Sequence, residues 1–434
     1  MKIRSLLLGS AAIAAVAGLS TAGYAADLGV VTSLDVCDEL GLSGLTISSD
    51  DNCLQITGDV KFEYDWGNYA PGRVYGNFFQ SNNGNTYTVF APDGQTDSNH
   101  GDVDAWLKFV GTASSDFGPA SATIKLITNN QTGSSDWTVG VDEAWVGIGD
   151  TTRLMAGYKS SIFNLGDDVP LNYLGLFNSD SVNKGVGFAT TAADTGGDVI
   201  QVVSNLGNGL SVGGGLENLA APFGEMTGVG VLQYAGDNIT AHVSTAYGAD
   251  LATGALGWKV HAGFTGSWDP ISVVGAVATD NTGYWDALGS VAAKFDMFTL
   301  AASGEATSAG EWGVGGSATA KVSDGVTLNL GGRYFHGVGN ALGNVKVNGS
   351  TGTPYDVYQV EAALTAAVTE SVSLSGAVGI TDSTISNTSA TPMAFYGKAG
   401  VAWAPGGGFT SGANVTVTSL GGYKAVFTAE KSIK

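Results

Sequence analysis

The sequence predicts an all-β chain folded as a transmembrane antiparallel β-barrel, and three observations carry that expectation. Polar and apolar residues alternate with a period of two in one segment after another. Short, sharp turns take turns along the chain with long polar loops. The composition is Gly-rich and weakly charged: 66 of 434 residues are Gly and 13% are Asp, Glu, Lys or Arg, about half the charged share usual in a soluble domain.

The clearest alternation is Asp59-Val60-Lys61-Phe62-Glu63-Tyr64-Asp65-Trp66, in which each odd position is charged and each even position apolar. A period of two puts the charges on one face of a strand and the apolar side chains on the other. Asp102, Asp104, Trp106 and Lys108 alternate in the same way with Val103, Ala105, Leu107 and Phe109, and weaker copies follow at residues 121–127, 153–159, 259–265, 327–335 and 359–365. A charged face sustained along the chain does not suit the core of a soluble sandwich. In lipid, unpaired backbone groups are so costly that a spanning sheet closes on itself.

The connections fit the same architecture. Tight turns stand at Gly236-Asp237-Asn238, Asp269-Pro270, Asp296-Met297, Ser323-Asp324-Gly325 and Thr369-Glu370-Ser371, and longer loops lie near residues 248–256, 280–284, 336–355 and 382–392. Short turns at one end and long loops at the other are how outer-membrane barrels are built. A direct tally of segments from residue 54 to 430 reaches about 20, but Gly-rich runs blur their boundaries. The expected barrel has 16–18 strands, a size that leaves a water-filled lumen.

Several classes are excluded. A net charge of −21 and a pI near 4.3 oppose phosphate binding, which needs clustered basic residues. With 44% hydrophobic residues, 9 Trp, 15 Tyr and 17 Phe, the chain has too much to bury to stay disordered. Past the N-terminus no apolar run approaches the roughly 18 residues of a spanning helix.

Met1-Lys2-Ile3-Arg4, the apolar stretch to Leu19 and the small residues of Gly23-Tyr24-Ala25 have the three parts of a secretory signal peptide. Residues 1–25 are expected to be removed and the chain exported. Cys37 and Cys53 are the two cysteines. In an exported chain an even count favours a disulfide, here stapling an N-terminal segment at residues 26–53; residues 54–434 then form the barrel. Neither Cys-x-x-Cys spacing nor a neighbouring His supports a redox or metal role.

No catalytic or cofactor site is expected. His100, His242, His261 and His336 lack metal-ligand spacing, and His242 and His261 fall on the polar phase of their strands, as solvated lumen residues would. Gly313-Val314-Gly315-Gly316-Ser317 lacks the Lys of a phosphate loop, so its glycines are read as easing curvature and close packing.

The rhythm breaks at Ser160 and resumes near Asp198, enclosing Asp167-Asp168, Pro170-Leu171-Asn172-Tyr173-Leu174 and Asp180. So long an irregular segment is usually functional. If it folds inward, Asp167 and Asp168 face the inward bases Lys61, Lys108, Lys125, Arg153 and Lys159 across the narrowest passage. Opposed fixed charges set a transverse field that sorts polar solutes. Two plainer readings compete: Asp167-Asp168 caps an exposed turn, and each base pairs with a neighbouring carboxylate such as Asp59, Glu63 or Asp104. The acidic excess predicts mild cation preference.

Val36-Cys37-Asp38-Glu39-Leu40-Gly41, followed by Asn52-Cys53-Leu54-Gln55-Ile56-Thr57-Gly58-Asp59-Val60, resembles the opening of the alphaproteobacterial porins. The start Met1-Lys2-Ile3-Arg4-Ser5-Leu6-Leu7-Leu8-Gly9-Ser10 is similar to theirs, and Gly157-Tyr158-Lys159-Ser160-Ser161-Ile162-Phe163-Asn164 matches the point where that family enters its third loop. The resemblance implies a general-diffusion porin of the bacterial outer membrane, surrounded by outer-membrane lipid. It further implies a homotrimer of 16-stranded barrels, each with an inward-folded constriction loop, here about residues 160–197, passing ions and small hydrophilic solutes. The sequence departs from that family in running past Phe427 to Lys434 instead of finishing on an aromatic residue. Two alternatives are a barrel enzyme, which lacks a visible rim cluster, and a structural or adhesive barrel without channel activity. The latter's acidic loops, such as Asp93-Gly94-Gln95-Thr96-Asp97, would recruit Ca²⁺.

Overall fold

The computed structural model describes residues 36–37, 40–49, 51–68, 87–88, 98–129, 138–163, 169–176, 186–188, 193–220, 226–249, 254–338, 345–346, 354–383, 393–419 and 421–434. The expected signal peptide, Asp93–Asp97 and the pair Asp167-Asp168 lie outside the described residues.

Twenty antiparallel strands close into a barrel. They are β1 (Asn52–Asn68), β2 (Ser98–Ala113), β3 (Ala120–Asn129), β4 (Thr138–Ile148), β5 (Thr152–Lys159), β6 (Gly197–Gly207), β7 (Leu210–Glu217), β8 (Thr227–Ala235), β9 (Ile239–Ala249) and β10 (Leu256–Trp268). The second half comprises β11 (Ile271–Asp280), β12 (Trp285–Lys294), β13 (Phe298–Thr307), β14 (Trp312–Ser323), β15 (Val326–Gly337), β16 (Tyr355–Ala367), β17 (Val372–Ser383), β18 (Ala394–Gly406), β19 (Phe409–Thr418) and β20 (Tyr423–Ile433). Each pairs with the next, and β1 pairs with β20 from Gly58↔Ile433 to Asn68↔Tyr423. The ring therefore has no unpaired edge, as lipid requires.

The count corrects the expected 16–18 strands, and the 16 of the resemblance, upward to the number that the segment tally reached. The closing strand extends six residues beyond Phe427, to Ile433, and stays in register on β1. All five tight turns named from the sequence join consecutive strands at one end of the barrel, and the four long loops lie at the other.

The period of two sorts the side chains as the alternation demands. Val60, Phe62, Tyr64 and Trp66 of β1 are exposed on the outer surface, while Asp59, Lys61, Glu63 and Asp65 take the lumen face. A Lys turned to the bilayer midplane of such a barrel costs about 2–4 kcal/mol and a carboxylate less, so a register slip of one residue on β1, which turns Lys61 and three carboxylates outward together, is strongly disfavoured.

Ahead of the barrel, the short strand Leu45–Ser48 pairs with the first residues of β1, from Leu45↔Ile56 to Ser48↔Cys53. Cys37 and Cys53 form the expected disulfide, and both are buried.

Candidate functional site: a loop seated on the lumen wall

Between β5 and β6 the chain turns into the barrel. Its described pieces, residues 160–163, 169–176, 186–188 and 193–196, pack against lumen-facing side chains of the wall. Two apolar clusters glue them there. Leu176 and Val186 join Val274, Ala276 and Ala278 of β11 and Leu288 of β12. Phe163 and Ala193 join Val229 and Val231 of β8 and Ala246 of β9. On these strands the lumen face is a dry core, not a wet wall.

The root of the loop is held by Glu217 at the end of β7. Its fully buried carboxylate accepts hydrogen bonds from Gln201 Nε2 at 2.8 Å, Gly196 N at 2.6 Å and Ile162 N at 3.4 Å. Buried charge without such donors is very costly, so this site fixes where the chain enters and leaves the barrel.

The middle of the loop is fastened to β12–β15, well round the ring from Glu217. Leu171 N donates to Ser290 Oγ at 2.9 Å, and Tyr173 N donates to Ser317 Oγ at 3.0 Å. Ser303 Oγ donates to Asn172 Oδ1 at 2.6 Å, and Gly187 N donates to Asp286 Oδ2 at 3.0 Å. Arg333 of β15 donates to the Leu174 carbonyl at 2.9 Å and to the Leu176 carbonyl at 3.4 Å, while Gln359 Oε1 holds its other guanidinium nitrogens at 2.7 and 2.9 Å.

Glu361 of β16 is the hub. Its carboxylate accepts from Tyr173 Oη at 2.7 Å, Tyr396 Oη at 2.7 Å and Lys398 Nζ at 2.8 Å, and the residue is 3% exposed. Burial pushes the Tyr173 phenol up, and the Glu361 charge and hydrogen bond push it further, so Tyr173 stays a donor at all physiological pH. Hydrogen bonds to a buried charge are worth about 1.5–3 kcal/mol each.

Two wall glycines make the seat. A Cβ on Gly315 of β14 would lie 2.6 Å from Asn172 Nδ2, and one on Gly331 of β15 would lie 3.0 Å from both Tyr173 Cδ1 and Leu174 Cγ. Gly315 belongs to the run 313–317, read from the sequence as easing curvature and close strand packing; what it makes room for is the loop.

The five predicted bases all stand on the lumen face of β1–β5, on the opposite side of the ring. Lys61 Nζ pairs with Glu63 at 2.8 Å, Lys108 Nζ with Glu143 at 3.3 Å and Lys125 Nζ with Asp142 at 2.6 Å. Arg153 donates to Ser121 Oγ at 2.6 Å, and Arg153 and Lys159 lie 5.3 and 5.5 Å from the ring centre of Trp145. Lys61 thus pairs with a neighbour named from the sequence, Glu63, whereas Lys108 and Lys125 pair with Glu143 and Asp142 of β4. Of the loop residues named from the sequence, Tyr173 and its neighbours are placed, whereas Asp167 and Asp168 are not described. Glu217, Asp286, Arg333 and Glu361 were missed. Each is an isolated charge on the polar phase of its strand, which was the available signal.

His242 and His261 are corrected: they face inward, but are 3% and 2% exposed, covered by the loop instead of solvated. Among the described residues, no group of three or more His, Cys, Asp or Glu forms a metal position.

A profile of the porin subfamily matches residues 30–433. The chain belongs to that porin subfamily. This porin is an outer-membrane channel for passive diffusion. Solved structures similar to the porin include OmpT of Vibrio cholerae lacking loop L8, at 9% identity, covering 88% of this chain and 100% of that one with a TM-score of 0.42. The anion-selective porin from Comamonas acidovorans is 12% identical over 88% of this chain and 100% of that one, with a TM-score of 0.40. The outer membrane channel DcaP of Acinetobacter baumannii is 14% identical over 90% and 100%, with a TM-score of 0.38. No curated protein matches the sequence.

Proposed function

We propose that this porin is a homotrimeric general-diffusion pore, weakly selective for cations, that passes ions and small hydrophilic solutes. The observation that carries this reading is the loop seated across the lumen from the charged face of β1–β5. The passage is bounded on one side by Lys61, Lys108, Lys125, Arg153 and Lys159 with their carboxylates. On the other side run the described pieces of the loop, residues 169–176 and 186–188 among them. Size exclusion comes from the seated loop, and ionic preference from the acidic excess of the chain, which stands at −21.

The test is electrophysiological. Purified porin in a planar bilayer should give ohmic openings in groups of three, and the reversal potential across a KCl gradient should have the sign of a K⁺-preferring pore. Clear Cl⁻ preference overturns the charge argument, single steps overturn the trimer, and absence of conductance favours a structural barrel.

A further inference from the structure

The charged wall is divided by sign. On β20, β1 and the first half of β2, six carboxylates face the lumen beside two lysines, Lys61 and Lys424. On the second half of β2 and on β3–β5 the balance reverses, with Lys108, Lys125, Arg153 and Lys159 against Asp142 and Glu143. The boundary falls within one strand: Asp104, Trp106 and Lys108 are successive lumen-facing residues of β2. Trp106 pairs with Asp59 across one edge, and Lys108 pairs with Lys125 across the other.

Two features set this boundary apart from an ordinary salted wall. Like charges directly opposite on an antiparallel pair repel, yet Lys108 and Lys125 are direct partners, tolerated because Glu143 and Asp142 take one lysine each. Over the whole basic side four bases face two carboxylates, the excess lying at Arg153 and Lys159 of β5. Between the two signs stands a half-buried indole, with Lys125 Nζ 5.3 Å from the Trp106 ring centre. At about 3.3 Å per residue, Asp104 and Lys108 are roughly 13 Å apart along the strand, with Trp106 midway.

We propose that the Asp104–Trp106–Lys108 strip is a binding subsite for short peptides with free termini. The ammonium end lies at Asp104 and Asp59, the carboxylate at Lys108 and Lys125, and the middle of the peptide against Trp106. A tripeptide spans about 10 Å, and the four-carbon stem of a lysine closes the remainder of the roughly 13 Å spacing. An inorganic ion uses one end of the strip at a time. A sugar uses the indole but neither charge. A zwitterion with separated charges uses all three. This subsite names a solute class for the pore and so rests on the diffusion-channel reading.

The experiment compares four peptides of one size in liposomes carrying the full-length porin: trialanine, N-acetyl-trialanine, trialanine amide and the doubly capped form. Trialanine and the doubly capped peptide are both neutral overall, so their ratio isolates the strip from bulk selectivity. Trialanine is expected to enter roughly threefold faster, the scale of one solvent-exposed ion pair, and to compete with itself at high concentration. Asp104→Asn should erase the advantage conferred by the free amine, and Lys108→Gln that conferred by the free carboxylate, each read as the entry ratio to the doubly capped peptide in the same liposomes. Equal entry of trialanine and the doubly capped form, or peptide ratios untouched by both variants, overturns the subsite while KCl conductance still upholds the pore. Absence of KCl conductance overturns both.

Discussion

His242 Nε2 and His261 Nδ1 stand 2.8 Å apart on the neighbouring strands β9 and β10, with ring centres 4.9 Å apart and both side chains sealed from the lumen. The seal is the loop: Phe163 and Phe188 each lie 6.4 Å from the His261 ring, and Lys259 Nζ sits 5.3 Å over Phe163 and 5.5 Å over Phe188. His261→Ala removes a buried ring and a hydrogen-bond partner together. It should cost about 1–3 kcal/mol, read as a lower temperature for loss of the compact band when unboiled porin is heated before a detergent gel. A midpoint equal to that of the unmodified porin would show that the pair does not support the loop.

The Glu361 hub makes a sharper case. Glu361→Gln leaves Lys398 without its carboxylate and weakens the bond from Tyr173, and a buried ion pair broken on one side typically costs about 3–5 kcal/mol. Tyr173→Phe removes the hydroxyl alone and should cost about 1.5–3 kcal/mol, the worth of one bond to that charge. Both should raise single-channel conductance and admit larger sugars in liposome swelling, Glu361→Gln more than Tyr173→Phe. An unchanged exclusion limit in both would mean that the loop stays in place without the hub.

Steric eviction should have the same effect without touching a charge. Gly331→Leu drives a side chain into the space of Tyr173 and Leu174, and overpacking of this kind costs about 1–3 kcal/mol. The expected result is a barrel that still assembles but conducts more, with noisier openings. Quiet openings of the original size would place the loop elsewhere.

The disulfide is expected to matter locally. Closing a loop of this length is worth about 3 kcal/mol against the open chain, but the twenty-strand ring does not depend on it. Cys37→Ser with Cys53→Ser should leave conductance intact and expose the segment before β1 to protease. Loss of assembly in the double variant would give the staple a role in folding.

Glu311, in the connection between β13 and β14, is 2% exposed, and burial pushes its carboxyl above the ordinary carboxylate range. A raised acid binds its proton more tightly in the folded chain, so its contribution to stability is full below the ordinary carboxylate pKa. That contribution is lost as pH rises toward the folded value. Glu311→Gln should flatten this part of the pH dependence and melt no lower than the unmodified porin at pH 8. A variant that keeps the same slope between pH 4 and pH 8 would assign the slope to other groups.

The architecture was legible wherever lumen and lipid impose opposite demands. On β1, water lies on one side and lipid on the other, and Asp59 to Trp66 records both. The strand count was harder because the loop turns part of the lumen face into a dry interior. On β11 the inward residues are Val274, Ala276 and Ala278, and on β8 they include Val229 and Val231, so the polar half of the alternation vanishes. On β7, Gly213, Gly214 and Gly215 carry no pattern at all. The same burial hid the loop's anchors. Arg333 and Glu361 read as ordinary wall charges because their partners, the Leu174 carbonyl and the Tyr173 hydroxyl, are more than a hundred positions away in sequence. The basic wall was easier, since its lysines meet carboxylates on their own strand or one or two strands away.

The loop ties Glu217 at one side of the ring to Arg333 and Glu361 at the far side. A cylinder this wide is prone to flattening under the sideways squeeze of the bilayer, as a hoop is without bracing. The described pieces of the inserted segment, packed and bonded on strands from β7 to β16, brace that wall from within, as an inner lining stiffens a hoop.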